Sequence, residues 1–303
     1  MSREQSEALE HLLRTGPLDL GGDVAVQRPM LEQLLTSHPL PADVATDATT
    51  LGGVDCLEIT VEGAGVQPDG APPVLLFLHG GAYVMGSARG VAGMAAELAR
   101  RAGSRAVSVG YRLAPEHPYP AAVEDALAVY RALLDDGVPP GAVAVGGESA
   151  GAGLAVALLV AARDAGLPAP ACAVLFSPWA DLTLSAGSMT GKAAVDPALG
   201  RAGLARRAAD YAAGTDPATA LVSPLFADLH GLPPLLVQAG SHEVLLDDAV
   251  RLAGAAATAD VAVTLQVTPR VPHVFQGFAA VLDEATTALD DAGAFLRLSL
   301  IHI

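Results

Sequence analysis

Positive charge is scarce in this chain, and lysine is almost missing. Of the 303 residues, 17 are Lys or Arg and 33 are Asp or Glu, so the formal net charge is −16. Proteins that bind nucleic-acid phosphates need an excess of basic residues, so we expect no nucleic-acid partner. The only lysine, Lys192, is followed by Ala193, which excludes the Gly-Lys-Ser/Thr phosphate-binding loop.

Cysteine and long apolar runs are also rare. Cys56 and Cys172 lie far apart and belong to no Cys/His cluster, so we predict buried free thiols, no disulfide framework and no metal site. The longest apolar run, residues 151–162, is too short for a membrane span, which needs about 20 residues. The N-terminus lacks the apolar segment of a signal peptide. These absences predict no membrane partner and a cytoplasmic location.

Apolar segments of strand length alternate with segments of helical period along most of the chain. Residues 74–78 form a continuous apolar run, which is typical of a strand buried on both faces of a parallel sheet. Residues 56–61 alternate between apolar and polar and predict an edge strand, and a final helix is predicted from about Gln276. Further strands are predicted at 105–109, 142–145, 171–176, 235–238 and 261–267. This order predicts an α/β fold with a mostly parallel central sheet flanked by helices.

Two segments interrupt the alternation of strands and helices. Residues 1–45 carry apolar residues at helical spacing, and residues 181–225 are rich in alanine and loops without a clear strand. We therefore predict N-terminal cap helices in 1–45, a core made of 46–180 and 226–303, and a cap insertion in 181–225. The two cap segments are expected to form a helical cap over the sheet.

The segment Gly147-Glu148-Ser149-Ala150-Gly151 follows a predicted strand and opens a predicted helix. This is the setting of a G-x-S-x-G nucleophile elbow, in which glycines allow a sharp turn at a strained serine. The helix N-terminus would also favour the negative charge that develops there. The pattern predicts Ser149 as a nucleophile, with a chance glycine-rich turn as the alternative.

A serine nucleophile needs a base and an orienting acid, which follow it in the chain in this kind of fold. His273 lies in a loop after the last predicted strand and is the predicted base. Glu243 follows the preceding strand and is the predicted acid, with Asp247 on the next helix as the alternative. His242 and Glu243 do not begin a zinc-binding H-E-x-x-H motif, because Leu246 stands where the second histidine is needed.

The segment His79-Gly80-Gly81-Ala82-Tyr83 follows a buried strand, as an HGGG-type oxyanion loop does. We predict the N–H groups of Gly80, Gly81 and Ala150 as donors to the oxyanion. Aromatic residues make up only 4% of the chain, and four of them lie near these motifs or in the predicted cap insertion. These four, with core packing as the alternative role, are the predicted substrate-binding residues: Tyr83, Trp179, Tyr211 and Phe275.

Four segments, in the same order, resemble those of the hormone-sensitive-lipase-like branch of the α/β hydrolases, the bacterial family IV esterases: HGGAYVMG (79–86), YRLAPEHPYPAAVEDA (111–126), GESAG (147–151) and VPHVF (271–275). The resemblance implies an α/β-hydrolase fold with a helical cap. It also implies a serine carboxylesterase that hydrolyses short- to medium-chain esters through a catalytic triad, which in this chain would be Ser-His-Glu, without metal or other cofactor. Many members dimerise, so a homodimer is implied as well as a small-molecule ester substrate.

The chain departs from the family pattern at three positions. Ala82 replaces the third glycine of HGGG, Glu148 stands where many members have Asp, and Glu243 stands where the family has Asp. A lactonase or other specialised hydrolase of the same fold remains an alternative, as does a non-catalytic ligand-binding member. A short-chain dehydrogenase is disfavoured, because Lys192 has Ser188, and not the required tyrosine, four residues before it.

Overall fold

One mixed sheet organises the computed structural model, which describes residues 3–64 and 72–301. Its eight strands are β1 (Val44–Leu51), β2 (Val54–Val61), β3 (Val74–Leu78), β4 (Arg105–Val109), β5 (Val143–Glu148), β6 (Cys172–Phe176), β7 (Leu235–Gly240) and β8 (Val263–Thr268). The helices of the described residues are α1 (Arg3–Thr15), α2 (Val24–Leu35), α3 (Ala92–Ala102), α4 (Ala121–Asp135), α5 (Ala150–Asp164), α6 (Ser188–Gly191), α7 (Arg201–Ala212), α8 (Leu246–Thr258) and α9 (Asp283–Ile301). Residues 1–2, 65–71 and 302–303 of the predicted cap and core ranges lie outside the described residues.

The strand order across the sheet is β1-β2-β4-β3-β5-β6-β7-β8. Strands β3 to β8 pair parallel with one another, whereas β1 pairs antiparallel with β2, and β2 pairs antiparallel with β4. The predicted α/β-hydrolase fold, with a mostly parallel sheet flanked by helices, is therefore confirmed. Because parallel strands end at the same edge, the loops that follow β3, β5, β7 and β8 come together there.

The side chains of β3 show why the sheet carries helices on both faces. All five of its residues are buried. Leu75 and Phe77 point into a core shared with α3 and α9, whereas Leu76 and Leu78 point into a larger core shared with α4, α5 and α8. A strand that is covered on both faces is apolar at every position, so residues 74–78 show no alternation.

The edge of the sheet and the start of the last helix differ from the prediction. The strand predicted as an edge strand at 56–61 is an inner strand, because β2 has β1 on one side and β4 on the other. The polar and largely exposed sequence of β1 carries no clear strand pattern, and it begins at Val44, within the predicted cap range 1–45. The final helix starts at Asp283, after a short 3-10 helix at Phe275–Phe278.

Helices α1, α2, α6 and α7 lie in the two predicted cap segments, and these segments contact each other. Arg207 of α7 donates to the carbonyl oxygen of Gly22, before α2, at 2.7 Å. Arg14 of α1 donates to the carbonyl oxygen of Ala194, in the predicted cap insertion, at 3.1 Å. Among the helices of the described residues, none is both long and apolar enough to cross a bilayer.

Both cysteines are buried and unpaired, as predicted. Cys56 lies in β2 and Cys172 lies in β6. Burial raises the pKa of each thiol to about 11. Because thiols react as thiolates, both side chains behave as small apolar core residues at neutral pH.

Candidate active site

Ser149 lies at the turn between β5 and α5, where the G-x-S-x-G pattern predicts it. Its φ of +53° is in the left-handed region, which is strained for a residue with a side chain. A Cβ on Gly147 would come within 2.4 Å of the Gly151 carbonyl oxygen, and one on Gly151 within 2.1 Å of the Leu78 carbonyl oxygen. The Ser149 N–H donates to the carbonyl oxygen of Phe176 at 2.8 Å. Backbone crowding therefore explains both flanking glycines.

His273 lies in the loop between β8 and α9, and its ring reaches Ser149. The distance from His273 Nε2 to Ser149 Oγ is 2.8 Å. The next residue, Val274, has a φ of +51°, and its N–H donates to Ser177 Oγ at 3.0 Å. Ser177, which follows β6, thus fixes the loop beside the ring, a role that no sequence motif indicated.

Glu243, between β7 and α8, makes the second contact of the His273 ring. Its Oε2 lies 2.5 Å from His273 Nδ1, and its Oε1 accepts the Gly240 N–H at 3.0 Å. The Glu243 side chain is fully buried. An ionised carboxylate only accepts hydrogen bonds, so Nδ1 carries the ring proton and Nε2 is left to accept from the Ser149 hydroxyl.

Asp247, the alternative acid, contacts the predicted cap insertion instead. Its Oδ2 accepts the Ser188 N–H at 2.8 Å, and its own N–H donates to Ser188 Oγ at 3.1 Å. The Ser188 hydroxyl also donates to the carbonyl oxygen of Val244 at 2.6 Å. Of the two candidate carboxylates, it is Glu243 that contacts His273.

Acidic neighbours set the proton affinity of His273. Burial alone lowers the pKa of His273, but the hydrogen bond and the negative charge of Glu243, together with the charges of Asp196 and Glu148, outweigh it. The pKa of His273 is therefore raised above its ordinary value of 6.5. A raised pKa strengthens His273 as an acceptor of the serine proton.

The backbone N–H groups of the glycine loop differ in their partners. The Gly80 N–H, which was expected to be an oxyanion donor, donates to Glu148 Oε1 at 3.2 Å, because the Glu148 side chain reaches the loop. Gly80 is therefore already engaged in this conformation. Gly81 and Ala82 have φ of +104° and +54°. Their N–H groups, and that of Ala150, have no acceptor among the described residues.

His79 and Tyr111 support the glycine loop from behind. The His79 Nδ1–H donates to the Gly80 carbonyl oxygen at 2.7 Å, and the ring stacks on Tyr111 with 4.1 Å between centroids. The Tyr111 hydroxyl donates to the His79 carbonyl oxygen at 2.7 Å. Burial lowers the pKa of His79 to about 4. His79 is thus a neutral brace of the loop.

Comparison with known proteins places this geometry in a family. A family model described as the alpha/beta hydrolase fold matches residues 75–277. The crystal structure of an esterase from the bacterial hormone-sensitive lipase family is similar, with a TM-score of 0.93, 41% identity and coverage of 99% of each chain. The chain belongs to the bacterial hormone-sensitive-lipase family of α/β-hydrolase esterases.

Named relatives of this α/β hydrolase agree with that assignment. An acetyl-hydrolase of Streptomyces hygroscopicus is 51% identical over 74% of this chain and 75% of its own length. The carboxylesterase NlhH of Mycobacterium tuberculosis is 33% identical over 96% of this chain and 95% of its own length. The resemblance carried by the four motifs is confirmed.

The four aromatic residues predicted to bind substrate are all fully buried in this hydrolase. The rings of Tyr83 and Tyr211 stack with 3.8 Å between centroids, and Trp179 lies 6.2 Å from Tyr83. Phe275 belongs to a separate cluster with Leu9 of α1. The described side-chain contacts of these residues are packing contacts, and substrate binding by them stays a prediction.

Two polar atoms of the aromatic cluster lack partners. The Trp179 Nε1 and the Tyr211 hydroxyl are buried without a hydrogen bond among the described residues. The cluster is nevertheless close to the nucleophile, because the backbone N–H of Trp179 donates to the Ser149 carbonyl oxygen at 3.0 Å. Trp179, in particular, is attached to the backbone of the serine turn.

Proposed function

We propose that this hydrolase is a serine carboxylesterase that cleaves short- to medium-chain carboxylic esters through an acyl-enzyme. The proposal rests on the continuous series of hydrogen bonds from Ser149 through His273 to Glu243. Ser149 Oγ lies 2.8 Å from His273 Nε2, and His273 Nδ1 lies 2.5 Å from Glu243 Oε2. A nucleophile, a base and an orienting acid in this order are what acyl transfer needs.

In the proposed first step, Ser149 Oγ attacks the ester carbonyl while His273 Nε2 takes the hydroxyl proton. Glu243 holds Nδ1–H, so the ring presents the correct nitrogen, and its charge stabilises the imidazolium that forms. His273 then gives the proton to the leaving alcohol. Water attacks the acyl-enzyme with the same base, which releases the acid and restores Ser149.

We propose that the backbone N–H groups of Gly81, Ala82 and Ala150 donate hydrogen bonds to the oxyanion. The support for this assignment is that these groups lack acceptors among the described residues, whereas Gly80 already donates to Glu148. Donors held in place before the reaction stabilise the developing charge without reorganisation. The Gly80 N–H in this proposal positions the loop and does not contact the oxyanion.

The buried aromatic cluster supports a preference for small acyl groups. The Trp179 backbone is hydrogen-bonded to the Ser149 backbone, and the Tyr83 ring packs between Trp179 and Tyr211, so a cluster of bulky side chains is attached to the serine turn. Contacts between the segments 1–45 and 181–225 support the proposed two-part cap. A cytoplasmic location and a homodimer stay predictions from the sequence.

Hydrolysis of a series of p-nitrophenyl esters, from acetate to dodecanoate and with or without EDTA, tests the proposed function. We expect metal-independent hydrolysis that declines as the acyl chain lengthens. Folded protein that cleaves lactones but no open-chain ester would favour the specialised hydrolase. Folded protein that cleaves neither, but binds esters, would favour the non-catalytic member.

A further inference from the structure

The loop that carries the proposed acid is attached to the predicted cap insertion. This acid loop, defined as residues 243–248 and so including the first residues of α8, is hydrogen-bonded to Ser188 through Val244 and Asp247, as described above. A further anchor is a carboxylate from the same insertion, Asp196, whose Oδ2 accepts the Val244 N–H at 2.7 Å. Val244 directly follows Glu243, so this contact holds the backbone next to the acid.

Asp196 uses both of its carboxylate oxygens. Its Oδ1 accepts the N–H groups of Ala198 at 2.9 Å and Leu199 at 2.8 Å, which fixes the turn of the insertion. Its Oδ2 crosses to Val244, 48 residues away in sequence. The side chain is buried. A buried carboxylate that accepts three backbone N–H groups is a rigid connection between two segments.

Asp196 also contributes charge at the proposed site. The charges of three carboxylates act on His273: Glu243 from the acid loop, Asp196 from the cap insertion and Glu148 from the end of β5. Each of these charges favours the protonated form of the ring and raises the pKa of His273. Asp196 is not hydrogen-bonded to the His273 ring, so it lies outside the proposed triad. It nevertheless affects the charge at His273 and holds the acid loop through Val244.

We propose that Asp196 is a positioning residue through which the predicted cap insertion holds the acid loop, and with it Glu243, in register with His273. The inference rests on the proposed function for its consequences in catalysis. It assigns to the insertion a second task besides covering the site: removing its contact with Val244 should disturb the reaction without removing any group that touches substrate.

The chain contains a matched control for this inference. Asp216 stands in the same Asp-Pro-Ala sequence within the same insertion, and its Oδ1 accepts the Ala218 N–H at 2.9 Å. Unlike Asp196, Asp216 is exposed, and its described hydrogen bonds stay within its own turn. Asp196→Asn and Asp216→Asn therefore make the same chemical change, but only the first affects the acid loop.

The experiment compares wild type, Asp196→Asn, Asp196→Ser and Asp216→Asn. Serine keeps the ability to cap the local turn but is shorter and uncharged, so it loses the bond to Val244. For both Asp196 variants we expect kcat to fall by about 10- to 100-fold, with KM nearly unchanged, because small displacements of catalytic groups have costs of this size. Asp216→Asn should match wild type.

Titration of His273 by ¹⁵N-histidine NMR provides a readout that does not depend on turnover. We expect the pKa of His273 to fall in both Asp196 variants and to stay unchanged in Asp216→Asn. This result would support the inference even if the wild type hydrolysed no ester, so the two failures are distinguishable. Wild-type kcat and an unchanged His273 titration in the Asp196 variants would overturn it. Loss of the native fold in both Asp196 variants, or a change in KM alone, would also overturn it.

Discussion

Glu243→Gln is the substitution that challenges the proposed roles most sharply, because it changes one atom at the acid. The side-chain amide of this variant can still accept the Gly240 N–H with its oxygen, as Glu243 Oε1 does at 3.0 Å. The amide nitrogen then stands 2.5 Å from His273 Nδ1, where Oε2 was. Two N–H donors would face each other, so the ring adopts the tautomer with the proton on Nε2.

The expected loss follows from that tautomer. With a proton on Nε2, His273 cannot accept the hydroxyl proton of Ser149 across the 2.8 Å contact. A wrong tautomer in a Ser-His-Asp enzyme costs about 10⁴-fold in kcat, which corresponds to about 5 kcal/mol in activation free energy. KM should change little, because the buried Glu243 side chain presents no surface to substrate.

Steady-state hydrolysis of p-nitrophenyl acetate measures this effect, with Asp247→Asn as the matched control. Asp247 lies four residues further along and bonds to Ser188, so its amide variant should retain kcat within about tenfold. Circular dichroism and a thermal melt establish that both variants fold. A kcat of Glu243→Gln within tenfold of wild type, together with an inactive Asp247→Asn, would refute the assignment of Glu243 as the acid.

Three further predictions concern pH and packing. The acid limb of kcat/KM should titrate above pH 6.5, because the acidic neighbours of His273 outweigh its burial and raise its pKa; a midpoint below 6.5 would contradict this. Burial raises the pKa of Asp248 from 3.8 to about 7, so its contribution to the free energy of unfolding is complete below pH 3.8 and is lost as the pH rises through 7. The loss, on the order of a few kcal/mol, should be seen in urea unfolding of wild type and be absent from Asp248→Asn. Gly153→Ala would place a Cβ within 2.1 Å of the Trp179 carbonyl oxygen, so the melting temperature and kcat should both fall; unchanged values would show that α5 can shift freely.

The local patterns of the sequence predict the parts of this site that depend on backbone crowding. Gly147 and Gly151 have to be glycine because their Cβ positions are filled by carbonyl oxygens. The structure brings Ser149, which lies between them, together with His273 and Glu243, which follow later strands, because parallel strands end at one edge. The regular order of strands and helices made that placement predictable.

Residues whose roles depend on contacts far apart in the sequence escaped prediction. Asp196 lies in a segment without a clear strand, and its hydrogen bond to Val244 exists only after the insertion has packed on the acid loop. The engagement of Gly80 depends likewise on the direction of the Glu148 side chain. A motif shows which residues follow a strand, but it does not show which side chains from elsewhere in the fold form hydrogen bonds with them.

Strand β1 was missed for a different physical reason. Most of its side chains are exposed or half-buried, so the sequence of Val44–Leu51 has no apolar face from which a strand is predicted. The strand is held instead by its backbone pairing with β2, which runs from Val44 opposite Val61 to Leu51 opposite Val54. Backbone hydrogen bonds to a neighbouring strand are enough to form an edge strand, and they leave no pattern in the sequence.

Covalent labelling of the nucleophile tests the central claim most directly. Diethyl p-nitrophenyl phosphate reacts with an activated serine and releases p-nitrophenolate as the serine is phosphorylated. For wild type we predict one equivalent released per chain, loss of esterase activity, and a modified peptide that maps to Ser149. Ser149→Ala should fold, take up no label and hydrolyse no ester. Labelling at another residue, or ester hydrolysis that persists in folded Ser149→Ala, would contradict the account.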